Sequence, residues 1–149
     1  MHSCFTKEVV CDILNPMEVS VMMNQEELKN RLLSDLSRLN LPVCEVDLFI
    51  RPFSKTYYGR YFPVYNEEEV KPKIYIYPYE NKEEDLMTYD KILETSIHEF
   101  CHHIQYTSGS FVRNKGVMHD TQFWKLYNHY IDRARKYQLL EENLYEKAN

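Results

Sequence analysis

The chain has 149 residues, a net charge of −5 at pH 7 and 44% apolar residues. That size and balance suit one globular domain with a real core. They argue against a domain that grips nucleic acid through its overall charge, and no stretch approaches the ~18 consecutive apolar residues of a membrane span. The first eight residues, Met-His-Ser-Cys-Phe-Thr-Lys-Glu, lack a basic region followed by an apolar run. The expectation is therefore a cytoplasmic protein without a secretory signal. Cys4, Cys11, Cys44 and Cys101 form no C-x-x-C pair, so free thiols are expected.

Residues 1–23 read as an arm packed on the domain. Val9, Val10, Ile13 and Leu14 have helical spacing, but Pro16 interrupts them. Asn24 followed by Glu27 forms a capping-box pattern. Leu28, Leu32, Leu33, Leu36 and Leu39 then mark one apolar face, which predicts a helix over 25–39 that stops before Pro42.

Three β-rich segments follow. Residues 45–51 alternate as a strand and end at Pro52. Residues 56–62 are the second, with Gly59 marking a bulge or a close approach. Residues 73–77 are the third, closed by Pro78. Strands in sequence with no helix between them predict an antiparallel meander. An extended peptide is expected to lie along the third strand, near residues 73–77, adding backbone hydrogen bonds.

A helix is predicted over 85–106, ending near Gly109. It carries His98-Glu99-Phe100-Cys101-His102, an H-E-x-x-H sequence. Two histidines four apart share one helix face, so their imidazoles reach one ion together. Glu99 is one step round the helix, beside the ion without ligating it. This is the pattern of a zinc hydrolase, with Glu99 as general base for the attacking water. Leu93, Ile97, Phe100, Cys101 and Ile104 form the apolar stripe, with Cys101 read as core packing.

A catalytic zinc site needs a third protein ligand. His119 follows a loop and precedes Asp120, a good N-cap for a last helix predicted over 121–140. His119 is the favoured ligand and Asp120 its rival. His103 points about 100° away from His102 and reads as a polar or supporting residue. His129 reads as surface or core, and Glu94 as a partner that orients a ligand imidazole. Phe123, Trp124, Tyr127, Tyr130 and Ile131 form the expected buried side of the last helix. Residues 141–149 read as a polar tail, leaving a single domain over 1–149 with its core at about 24–140.

His98-Glu99-Phe100-Cys101-His102, followed by His119-Asp120-Thr121-Gln122-Phe123-Trp124, resembles the SprT-like zinc metallopeptidases. The order of elements, with Tyr58-Gly59-Arg60 and Ile74-Tyr75-Ile76 upstream, is similar over about residues 24–135. The resemblance implies an α+β, zincin-like domain: a small, mostly antiparallel three-stranded sheet with an N-terminal helix, an active-site helix and a C-terminal helix. It implies one Zn²⁺ held by His98, His102 and His119, and Glu99 as general base. It also implies a protein or peptide substrate, with DNA-associated proteins as one class. Asp120 replaces the family's glycine, and no cysteine beyond Cys101 supplies a C-terminal zinc ribbon. The competing reading is a non-catalytic, zinc-stabilised module that binds a partner protein. Tyr57, Tyr58, Arg60, Tyr106 and Arg113 are the candidates to steady an oxyanion.

Overall fold

The computed structural model describes residues 24–63, 71–81, 85–108 and 119–140. The expectations for residues 1–23, Gly109, Arg113 and the tail from 141 fall outside the described residues. The described part is α+β, with three α-helices and one three-stranded sheet.

Helix α1 spans Gln25–Arg38, as the leucine spacing predicts. The Asn24 side chain accepts from the Glu27 N–H at 2.8 Å, and the Glu27 carboxylate receives the Asn24 N–H. This satisfies two of the helix's orphan donors. Leu28, Leu32 and Leu36 are buried, worth about 1.5–3 kcal/mol each. At the other end Asn40 adopts φ of +63°. The Leu41 N–H then reaches Leu36 O and the Asn40 N–H reaches Ser37 O, a Schellman closure.

The strands are β1 (Asp47–Ile50), β2 (Gly59–Phe62) and β3 (Lys73–Ile76). Their order is β1-β3-β2, with β1 parallel and β2 antiparallel to β3. The predicted antiparallel meander is therefore wrong: the sheet is mixed and β3 is its centre. The link from β1 to β2, residues 51–58, is too long for a tight hairpin and carries Pro52 as its second residue, so the strands are not held side by side. β3 fills the space between them. Strand neighbours in sequence are neighbours in space only about two times in three. The central place of β3 also rules out peptide addition along it, since both its edges are already paired.

Side-chain alternation gives the sheet two faces. Leu48, Ile74 and Ile76 are buried on the face towards α1 and the helix that carries H-E-x-x-H. On the other face the Tyr75 ring meets Phe49 and Phe62 at 5.5 and 5.0 Å. The Arg51 and Arg60 guanidiniums cover these rings at 4.7 Å from Tyr75 and 4.6 Å from Phe62.

Helix α2 spans Tyr89–Thr107. It begins later than predicted because residues before it are used for an extended link: Tyr79 bridges Leu86, and the Met87 N–H donates to Pro78 O. Thr88 is the N-cap, accepting from the Lys91 N–H. Ile92, Leu93, Ile97, Phe100 and Cys101 are buried, so Cys101 is core, as its stripe position implies. Helix α3 spans Thr121–Lys136 behind the expected N-cap Asp120. It ends four residues early, at a second Schellman closure around Gln138, where φ is +61°. Glutamine carries no sequence signal for that conformation. Phe123 and Ile131 are buried as expected, whereas Trp124 is 43% exposed. None of the described helices is long and apolar enough to cross a membrane.

Candidate metal centre

Helix geometry alone brings His98 and His102 together, with their Nε2 atoms 3.2 Å apart. The N-terminal cap of α3 supplies the third histidine. His119 Nε2 lies 3.0 Å from His98 Nε2 and 3.1 Å from His102 Nε2. His119 sits one residue before Asp120, whose Oδ1 accepts the Phe123 N–H at 2.8 Å and the Gln105 side-chain N–H at 3.4 Å. Asp120 is thus engaged as a cap rather than facing the cluster. The second bond ties the start of α3 back to α2, one turn beyond His102.

The triangle of nitrogens fits one small cation. Three donors about 2.0–2.1 Å from an ion at tetrahedral angles stand about 3.3 Å apart, close to the 3.0–3.2 Å observed. Each Nε2 carries either a proton or a lone pair along a single direction. Three mutual contacts therefore cannot all be linear hydrogen bonds, whereas one cation satisfies three lone pairs. Among the described residues, these three histidines are the group able to hold a metal ion.

One ring supports all three. The Phe123 centroid is 4.9 Å from His98, 4.7 Å from His102 and 4.8 Å from His119, and Phe123 is fully buried. The exposed Trp124 ring lies 6.1 Å from His98 and 5.7 Å from His119. The sequence marked Phe123 only as packing and Trp124 as buried. Their place in the first turn of the helix, three and four residues beyond the Asp120 cap that follows His119, is the signal that would have placed them at the cluster. Burial, then the charges of His119 and Lys91, hold His98 down at about 4, so it is neutral, the ligating form.

Glu99 is almost wholly buried. That burial pushes its carboxyl up to about 7, against the pull of the Arg60 guanidinium. Its neighbour across the site is Gly59, at the start of β2. A β-carbon there would lie 2.8 Å from Thr95 Cγ2 and 3.0 Å from Glu99 Cγ. Gly59 is therefore the close approach that the sequence allowed for: it lets the edge strand sit directly on α2. Two cavities border this contact, each lined by Gly59 and Glu99. The larger, about 580 Å³, is lined by Tyr57, Arg60, Tyr61 and Tyr106 beside Glu99 and the three histidines. The smaller, about 270 Å³, is lined by Tyr58, Lys91, Glu94 and Tyr127 beside His98 and Glu99.

The remaining sequence candidates separate cleanly. Glu94 lines the smaller cavity, and burial raises its carboxyl above the usual range. Its expected bond to a ligand imidazole is not among the hydrogen bonds of the described residues. His129 is exposed and accepts from Arg133. His103 is 2% exposed and faces Tyr61 and Glu45, away from the cluster. Of the oxyanion candidates, Tyr57, Arg60 and Tyr106 line the larger cavity and Tyr58 the smaller.

Comparison of the chain with protein-family models, curated proteins and solved structures finds no significant match.

Proposed function

We propose that the protein is a zinc-dependent peptide hydrolase of zincin-like, SprT-like type. The observation that carries this reading is the Nε2 triangle of His98, His102 and His119 with Glu99 beside it. Three imidazole nitrogens suit zinc, and three protein ligands leave a position for substrate or water, as catalytic rather than structural sites do. When bound, the metal supplies Lewis acidity towards a carbonyl and a lower pKa for water.

The chain's own groups do the rest. The Glu99 carboxylate takes a proton from the attacking water and delivers it to the leaving amine as the C–N bond breaks. Its raised proton affinity suits both halves of that task. Burial beside the cluster keeps bulk water from competing for the carboxylate. β2 offers the docking edge: one side pairs with β3, and among the described residues no strand pairs with the other. An extended peptide added there runs past Gly59 and Glu99, with side chains falling alternately towards the two cavities.

The test is cleavage of a dye-quenched casein by the zinc-loaded protein and by Glu99→Gln. The expected result is hydrolysis by the wild type and at least about a hundredfold loss in the variant, as for removal of a general base, with bound metal retained. Hydrolysis undiminished in Glu99→Gln would overturn the assignment.

A further inference from the structure

His103 lies immediately after a ligand histidine yet takes no part in the cluster. It is a buried imidazole with both nitrogens engaged. Nδ1 is 2.8 Å from the Tyr61 hydroxyl and Nε2 is 2.8 Å from Glu45 Oε1. An ionised carboxylate only accepts, so Nε2 carries the proton and donates to Glu45. With the imidazole in that single-proton tautomer, Nδ1 holds the lone pair and the Tyr61 O–H donates to it.

The three residues belong to three elements. Glu45 ends the short 3-10 turn Val43–Glu45 that leads into β1. His103 is on α2, and Tyr61 is in β2, opposite Ile74 of β3. The Tyr61 ring also packs on the His103 ring at 5.5 Å and on Tyr106 at 6.3 Å, and it walls the larger cavity. Its hydroxyl is anchored away from the substrate side while its ring faces that side.

β2 needs such an anchor. It is four residues long and, among the described residues, paired along one edge only. Gly59, which brings it onto Glu99, contributes no side chain to hold it there. An edge strand of this length is readily peeled from its sheet.

We propose that His103 is a positioning residue: bridging Glu45 and Tyr61, it fixes the edge strand β2 against the metal helix and so sets the groove in which an extended substrate lies. This rests on the peptidase reading for the word substrate, but the anchoring of β2 stands independently of it. His103 touches neither the cluster nor the groove and acts through Tyr61.

The variants are Tyr61→Phe, which removes only the hydroxyl, His103→Ala, and His103→Asn, whose amide oxygen stands near the Nδ1 position. Amide hydrogen exchange, cobalt(II) binding with its visible spectrum, and KM and kcat on an internally quenched peptide are measured for each. One lost buried hydrogen bond should speed exchange of the residue 59–62 amides about five- to tenfold in Tyr61→Phe. His103→Ala should do at least as much, and His103→Asn should recover part of it. Exchange in α1 and the cobalt spectrum should stay unchanged, and KM should rise with kcat within about twofold. Exchange at 59–62 within about twofold of wild type in both Tyr61→Phe and His103→Ala would overturn the proposal. So would equal acceleration across the whole domain, which marks a merely structural role. Absence of peptide cleavage by the wild type sinks the peptidase reading alone, because the exchange and cobalt results are read without it.

Discussion

Gly59 and Glu99 are in contact so close that a β-carbon at position 59 would lie 3.0 Å from Glu99 Cγ and 3.3 Å from Glu99 Oε2. The same carbon would lie 2.8 Å from Thr95 Cγ2. Gly59→Ala is therefore expected to push β2 off α2 or to turn the Glu99 carboxylate. The cost is about 1–3 kcal/mol, the range for overpacking a filled space. Urea unfolding measures it. Adding Thr95→Ser, which removes the Thr95 methyl, should recover part of the loss, because the two changes share one contact. Additive effects would show that the clash lies elsewhere.

The Asp120 side chain caps α3 and accepts from Gln105, so it orders the residue just before it, His119. Asp120→Ala should cost about 0.5–2 kcal/mol through the lost cap. It should also weaken metal binding about 10–100-fold, as loss of an outer partner does. Gln105→Ala should weaken metal binding in the same direction with the cap intact. Competition against a chelator of known affinity reads both. Unchanged affinity in both variants would mean that His119 is held by other contacts.

Trp124 is the only tryptophan of the chain, and its ring lies about 6 Å from those of His98 and His119. Cobalt(II), being paramagnetic, should quench its fluorescence on binding, and excess zinc should restore the signal. His119→Ala should abolish saturable quenching at micromolar cobalt. Equal quenching in that variant would place the cobalt outside the histidine triangle.

Two titrations in the metal-free protein oppose each other. Glu99, raised to about 7 by burial, contributes stability that is full below its unfolded value of about 4.3 and is lost as pH rises through 7. His98, lowered to about 4 by burial, contributes stability that is full above about 6.5 and is lost as pH falls through 4. Between these limits they largely cancel. Glu99→Gln removes only the first. Without metal, the variant should therefore gain on the wild type as pH rises from about 4.5 to 7, and urea midpoints across that range test this. A difference independent of pH would show that Glu99 does not titrate in this range. In the presence of metal, acid should release the ion as the ligand imidazoles take up protons.

Much of this architecture was legible from local chemistry. The leucine face of α1, the Asn24–Glu27 box, the Asp120 cap and the four-residue step from His98 to His102 each depend on neighbours in sequence. So does the place of Cys101 in the core. What escaped depends on partners far along the chain. That β3 lies between β1 and β2 follows from no pattern within any one strand. The close approach at Gly59 needed α2 to be placed before it could be told from a bulge. The start of α2 at the Thr88 cap depends on Leu86 and Met87 pairing with Tyr79 and Pro78, just beyond β3. His103 was correctly set apart from the cluster by its angle on the helix, but Tyr61 and Glu45 lie 42 and 58 residues away. Phe123 illustrates both sides: its burial was legible, its place beneath three imidazoles was not.

The central claim is that His98, His102 and His119 hold one metal ion. The most direct measurement is elemental mass spectrometry on protein purified without added metal, beside His119→Ala and His129→Ala. The expected result is about one zinc per chain in the wild type and in His129→Ala, whose histidine is exposed and outside the three-histidine group, with clear loss in His119→Ala. A wild type that binds no transition metal even when zinc is offered would contradict the account and leave the three histidines as a cluster without an ion.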